Sequence, residues 1–104
     1  MASNRYSFRD WLNQPDYSGN AYIDAAVYSR DRYAGHGALS IADCSRAITL
    51  EFNLDDERDR ANSLYKIDLL LKTLKEFKKA LLVEMKHAVQ LDKERQARGE
   101  EPDD

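Results

Sequence analysis

Glycine, histidine and cysteine fall close together in the middle of this chain, and they are the first residues to question for chemistry. Gly35-His36-Gly37 sets a histidine between two glycines, the composition of a loop that could cradle a phosphate. Such a loop needs a helix N-terminus after it and usually a Lys, Ser or Thr within it, whereas the residues that follow, Ala38 to Ala42, are strand-like. A flexible loop tip is the simpler reading. Asp43-Cys44-Ser45 offers a thiol that a nearby histidine could activate, but no third, orienting group and no nucleophile signature accompanies it. A small residue in a hairpin turn explains it equally well. His87 has Glu84 and Gln90 three residues to either side, and a helical zinc site would need a second His or a Cys three or four residues away. The sequence therefore predicts no catalytic residues, no metal ligands and no cofactor, and the chain is read as non-enzymatic.

Lysine is the other residue whose spacing points to chemistry. Lys72, Lys79, Lys86 and Lys93 recur every seven residues, so on a helix they form a ridge. Between Lys72 and Lys86, five lysines stand against two glutamates, a local charge of +3 in a chain of net charge −3. Lys72, Lys79 and Lys86 could hold phosphate, on a nucleotide or a nucleic acid. Against that, arginine is absent from the stretch and Asp68 with Lys72 makes an ordinary (i, i+4) pair, as on a solvated face.

Residues 1–20 carry Tyr6, Phe8, Trp11 and Tyr17 among Asn, Gln, Pro15 and Gly19. Ser7 followed by Asp10 fits a capping box with the shorter acid, so one short turn of helix ended by Pro15 is expected. Two roles fit the aromatics. They anchor a lid over the end of the core, or they bind a partner, because Trp, Tyr and Arg are enriched at binding hot spots.

The element that must organise all of this is a helix over 56–97. Leu64, Ile67, Leu71, Leu74, Leu81, Met85 and Ala88 recur at alternating steps of three and four, Leu70 and Phe77 widen the stripe, and Lys78 breaks it once. Asp55, Asp56, Glu57 and Asp59 suit the positive end of the helix dipole, and Arg95, Arg98 and Gly99 mark the stop. Roughly forty residues at 1.5 Å each give a helix of about 60 Å, longer than a 100-residue globule is wide. Upstream, Arg46 to Leu54 alternates strictly, with Ile48, Leu50, Phe52 and Leu54 on one face and Ala47, Thr49, Glu51 and Asn53 on the other. Ala38 to Ala42 supplies a neighbouring strand. Tyr22 to Ser29 fits a helical face as well as alternation, and it is read as a third strand because one amphipathic hairpin is marginal by itself. The expectation is an α+β fold in one domain, residues 1–98: a three-stranded antiparallel sheet over 22–54 whose apolar face lies on the first half of one long amphipathic C-terminal helix. Residues 99–104, Gly-Glu-Glu-Pro-Asp-Asp, are expected to be disordered.

Composition sets the outer bounds. With 42% hydrophobic and 34% charged residues, 104 residues can bury one modest core, and the acidic balance gives no global attraction to nucleic acid or anionic lipid. Cys44 is the single cysteine and cannot form an internal disulfide, so a reducing compartment is expected. The N-terminus lacks the apolar run of a signal peptide, and unbroken apolar runs reach only three or four residues, which points to the cytoplasm and away from membranes.

From Cys44 to Phe77 the pattern is an alternating strand, an acidic loop, Asn62-Ser63-Leu64 and then an amphipathic helix. In this third of its length the chain resembles a group of small proteins of bacteriophage and bacterial origin that have no assigned activity. The resemblance implies a phage-type accessory protein, many of which bind and block a host component in the manner of an anti-CRISPR protein; the location would then be the host cytoplasm. The expected function is protein–protein interaction, with Tyr6, Phe8, Trp11 and Tyr17 against a host defence or nucleic-acid protein. A small nucleotide- or nucleic-acid-binding protein using the lysine ridge is the rival reading. A homodimer is expected because a three-stranded sheet covers less than half of the helix, leaving Leu81, Leu82, Met85, Ala88 and Val89 to be covered by a second copy.

Overall fold

A computed structural model describes residues 2–99. Four strands precede one helix: β1 (Ala2–Trp11), β2 (Tyr22–Arg30), β3 (His36–Asp43), β4 (Arg46–Asn53) and α1 (Glu57–Ala97). The strands form one antiparallel sheet in the order β1-β2-β3-β4. The α+β class and the long C-terminal helix are as expected, but the sheet has four strands where the sequence predicts three. The extra strand is β1, in place of the expected turn of helix.

A bulge explains why β1 does not declare itself. Asn4 pairs with Tyr28 and Tyr6 with Val27, so Arg5 is an extra residue in the ladder. One inserted residue moves every later side chain to the other face, and the period-2 pattern is broken in the middle of the strand. Downstream of the bulge the alternation is regular, with Tyr6 and Phe8 on one face and Ser7 and Arg9 on the other.

The register joins the strands into rows. Phe8, Ala25, Leu39 and Leu50 form one row across the sheet, Tyr6, Val27, Gly37 and Phe52 a second, and Asp10, Ile23, Ile41 and Ile48 a third. One face is thus apolar across these rows except for Asp10 at the β1 edge. The other face carries polar rows such as Arg9, Asp24, Ser40 and Thr49. There the Ser40 and Thr49 hydroxyls share a 2.8 Å hydrogen bond, and the Tyr28 and His36 rings lie 5.3 Å apart.

The described chain divides into two compact units, one ending at Tyr65 and one beginning at Lys66. In the first, Asp56 caps the helix: its carboxylate accepts from the Asp59 N–H at 2.7 Å. The Ser63 hydroxyl, buried, donates to the Asn53 carbonyl at 2.7 Å, and the Arg60 guanidinium donates to the Leu54 carbonyl at 3.0 Å. These bonds tie the first turns of α1 to the end of β4. They do not cover the apolar surface. Ile48 is 58% exposed and Leu64 66%. In the second unit the helix runs to Ala97, and Gly99, at a φ of 77°, takes the left-handed conformation that follows many helix ends. Residues 100–104, most of the expected disordered tail, lie outside the described residues.

Candidate interaction surfaces

The four aromatic residues expected to bind a partner are brought together in two pairs. Tyr6 and Phe8 stand in the apolar rows, 53% and 47% exposed. Trp11 pairs with Tyr22 in the register and packs edge-on against its ring at 6.2 Å, on the polar face, where the Arg9 guanidinium lies 4.9 Å over the same ring. The sheet itself separates the pairs, because residues an odd number of positions apart along a regular strand point to opposite faces.

Trp11 and Tyr17 share a half-open depression of about 380 Å³, lined also by Asp10, Asn13, Gln14, Pro15 and Gly19. Its wall is a turn in which the Tyr17 N–H donates to the Gln14 carbonyl at 3.0 Å, with Pro15 at the second position, where its fixed φ is favourable. The depression is open and its aromatic rings are exposed, so it is a shallow contact surface and not an enclosed ligand cavity.

The apolar face of the sheet is the larger surface, and it is the one whose extent the sequence reading underestimated. Alternation in β4 placed Ile48, Leu50 and Phe52 together, and the register adds Ile23 and Val27 from β2, Leu39 and Ile41 from β3, and Tyr6 and Phe8 from β1. The signal for β1 was present in Tyr6, Ser7, Phe8 and Arg9 but was masked by the bulge. In the helix, Leu81, Leu82, Met85 and Val89 are exposed large apolar residues, Met85 at 55%, and Ala88 is exposed with them.

The lysine ridge is also exposed. The Lys79 ammonium lies 3.6 Å from the Glu76 carboxylate, an (i, i+3) pair in water. Lys72, Lys79 and Lys86 stand about 10.5 Å apart along the axis, at seven residues per step.

The residues questioned first are not assembled. Cys44 is an exposed free thiol in the turn after β3, and His36 begins that strand, so about 25 Å of extended chain separates them. Gly35 and Gly37 serve packing. A Cβ at Gly35 would collide with the Tyr28 carbonyl oxygen, and one at Gly37 would come within 3.3 Å of the Phe52 Cβ. A strand, not a helix, follows them. The His87 Nδ1 lies 3.3 Å from the Glu84 carboxylate on its own helix. Among the described residues no three His, Cys, Asp or Glu side chains come together as metal ligands. No helix among them is long and apolar enough to cross a membrane.

Comparison of the chain with protein-family models, with curated proteins and with solved structures finds no match.

Proposed function

We propose that this protein is a non-enzymatic protein–protein interaction module that pairs with a second copy through α1 and engages a further protein through its N-terminal aromatics. The observation that carries the reading is the exposed apolar sheet face, with Tyr6, Phe8, Val27 and Ile48 all among the exposed large apolar residues. Contiguous apolar surface of this kind is rare on monomers and marks sites of association. The helix residues Leu81, Leu82, Met85, Ala88 and Val89 support self-association on the same ground. Binding and blocking a host protein in the cytoplasm, as phage accessory proteins do, is supported by the resemblance over Cys44 to Phe77.

The test is capture of partners from a bacterial host lysate on immobilised protein. One stoichiometric protein, lost on Trp11→Ala/Tyr17→Ala, is the expected result. Retention of DNA or RNA that disappears with salt and on Lys72→Glu/Lys79→Glu/Lys86→Glu would replace this reading with the nucleic-acid one.

A further inference from the structure

We propose that the depression between Trp11 and Tyr17 seats an arginine side chain of the partner protein, stacked against the two rings and paired with the Asp10 carboxylate. The inference rests on the reading that the N-terminal aromatics engage a further protein, and it names the chemistry they recognise.

The backbone around the depression holds its shape. The Leu12 N–H donates to the Ala21 carbonyl at 2.8 Å and closes the base of the β1–β2 connection, where Ala21 is buried. Within the connection, the bond from the Tyr17 N–H to the Gln14 carbonyl closes the turn that carries Pro15 and Asp16. Gly19 takes a φ of 153°, which residues with a side chain rarely adopt, and a Cβ there would collide with the Asn13 amide. The loop therefore returns tightly on itself. Trp11 and Tyr17 are presented on that frame, 63% and 69% exposed.

The walls offer what a guanidinium needs. Trp11 meets Tyr22 edge-on, a contact that engages at most one face of the indole. One Asp10 oxygen accepts from the Trp11 N–H at 2.8 Å, and a carboxylate has about four acceptor positions, so room for a forked donor remains.

Charge selects the occupant. None of the residues lining the depression is basic. From Asp10 to Ser29 the chain carries Asp10, Asp16 and Asp24 and no Lys or Arg. Arg9, just before this stretch, lies over the Tyr22 ring in an adjoining hollow of about 300 Å³ and stands opposite Asp24 in the register. The chain itself thus sets a guanidinium on one ring of this cluster. The larger depression has the rings and the carboxylate but no cation in its lining. Arginine fits better than lysine, because its planar group stacks on aromatic faces and its fork matches a carboxylate. A phosphate would meet Asp10 as a like charge. The volume, about 380 Å³, is near the lower end for ligand sites and suits one long side chain.

Trp11 is the single tryptophan, so its indole N–H resonance reports this site alone. The probe is the peptide acetyl-Gly-Arg-Gly-amide, titrated into the full chain, with citrulline, lysine or glutamate replacing its arginine as controls. The expected result is a saturable shift of the indole resonance with the arginine peptide, a weaker one with lysine, and none with citrulline or glutamate. Asp10→Asn keeps an oxygen for the Trp11 N–H and removes the charge, so it should weaken binding about tenfold or more. Tyr17→Phe should keep the shift and Tyr17→Ala lose it, since the ring face carries the contact. No saturation with the arginine peptide, equal binding of the citrulline peptide, or a shift indifferent to Asp10→Asn and Tyr17→Ala would overturn the site. If Asp10→Asn loses its sheet signal in circular dichroism, the Tyr17 variants and the citrulline control decide. Lysate capture separates the site from the reading beneath it. A protein partner lost on Trp11→Ala/Tyr17→Ala but retained by Asp10→Asn keeps the interaction module and removes the arginine site; an arginine-peptide shift with no partner captured keeps the site and removes the further protein.

Discussion

Cys44 holds a φ of 57°, in the left-handed region that costs a residue with a Cβ about 1–2 kcal/mol. Glycine removes that cost but adds freedom to the unfolded chain, so Cys44→Gly is expected to stabilise by a net of about 0.5–1 kcal/mol. Urea unfolding at fixed protein concentration reads this as a higher midpoint. Gly35 is the opposite case: the Tyr28 carbonyl occupies the space a methyl group would need. Gly35→Ala should therefore cost about 2–3 kcal/mol, the price of overpacking against backbone, and an unchanged midpoint would show that the loop moves aside. Both positions were legible in part from the sequence. The turn at Asp43 to Ser45 followed from the strands flanking it, and Gly35 to Gly37 was recognisable as loop chemistry. The closeness of Tyr28 to Gly35 was not, because it depends on how the β2–β3 connection folds back.

At the scale of elements, β4 and α1 stand within a residue or two of where periodicity placed them, and β2 and β3 within a residue or two of where the need of β4 for partners placed them. Strict alternation in β4 and a long (3,4) stripe in α1, broken only at Lys78, are signals that one residue of error does not blur. β1 escaped because its alternation changes phase at Arg5 and because Ser7 and Asp10 imitate a helix start. The imitation is physical: the same short polar side chains that cap helices also occur along an edge strand, and only a paired neighbour decides between the two. The real cap is Asp56, whose carboxylate accepts the Asp59 N–H. Asp56→Ala is expected to lower stability by about 1 kcal/mol and to fray the first turn. Amide hydrogen exchange should show protection lost at Asp59 and Arg60 and kept beyond Leu64. Uniform loss along α1 would mean that the helix start is held by something other than this cap.

For the molecule as a whole, the question the sequence left open is what covers its apolar surfaces. Periodicity shows which residues share a face, but it carries no information about what lies against that face, and Ile48 and Leu64 are examples that stand exposed. Among the described residues Ala21, Gly37, Ala42 and Ser63 are buried, and no large side chain is fully so. Small residues bury little apolar area, and full burial of a Leu or Phe is what contributes about 1.5–3 kcal/mol each. Ordering each residue costs about 1–2 kcal/mol of backbone entropy, and the proposed pairing would add apolar burial to offset it. Folding coupled to pairing has a signature that monomer folding lacks: the unfolding midpoint rises with protein concentration by mass action. A tenfold increase is worth about 1.4 kcal/mol per dimer, which for a 200-residue assembly moves the midpoint by about 3–5 °C. Thermal circular dichroism across a hundredfold range of concentration should show a rise of roughly 5–10 °C. Leu81→Glu/Met85→Glu should flatten that slope and lower the midpoint at every concentration. A midpoint that does not move in the unaltered protein would mean that one copy folds alone, with its exposed apolar faces left for a different partner.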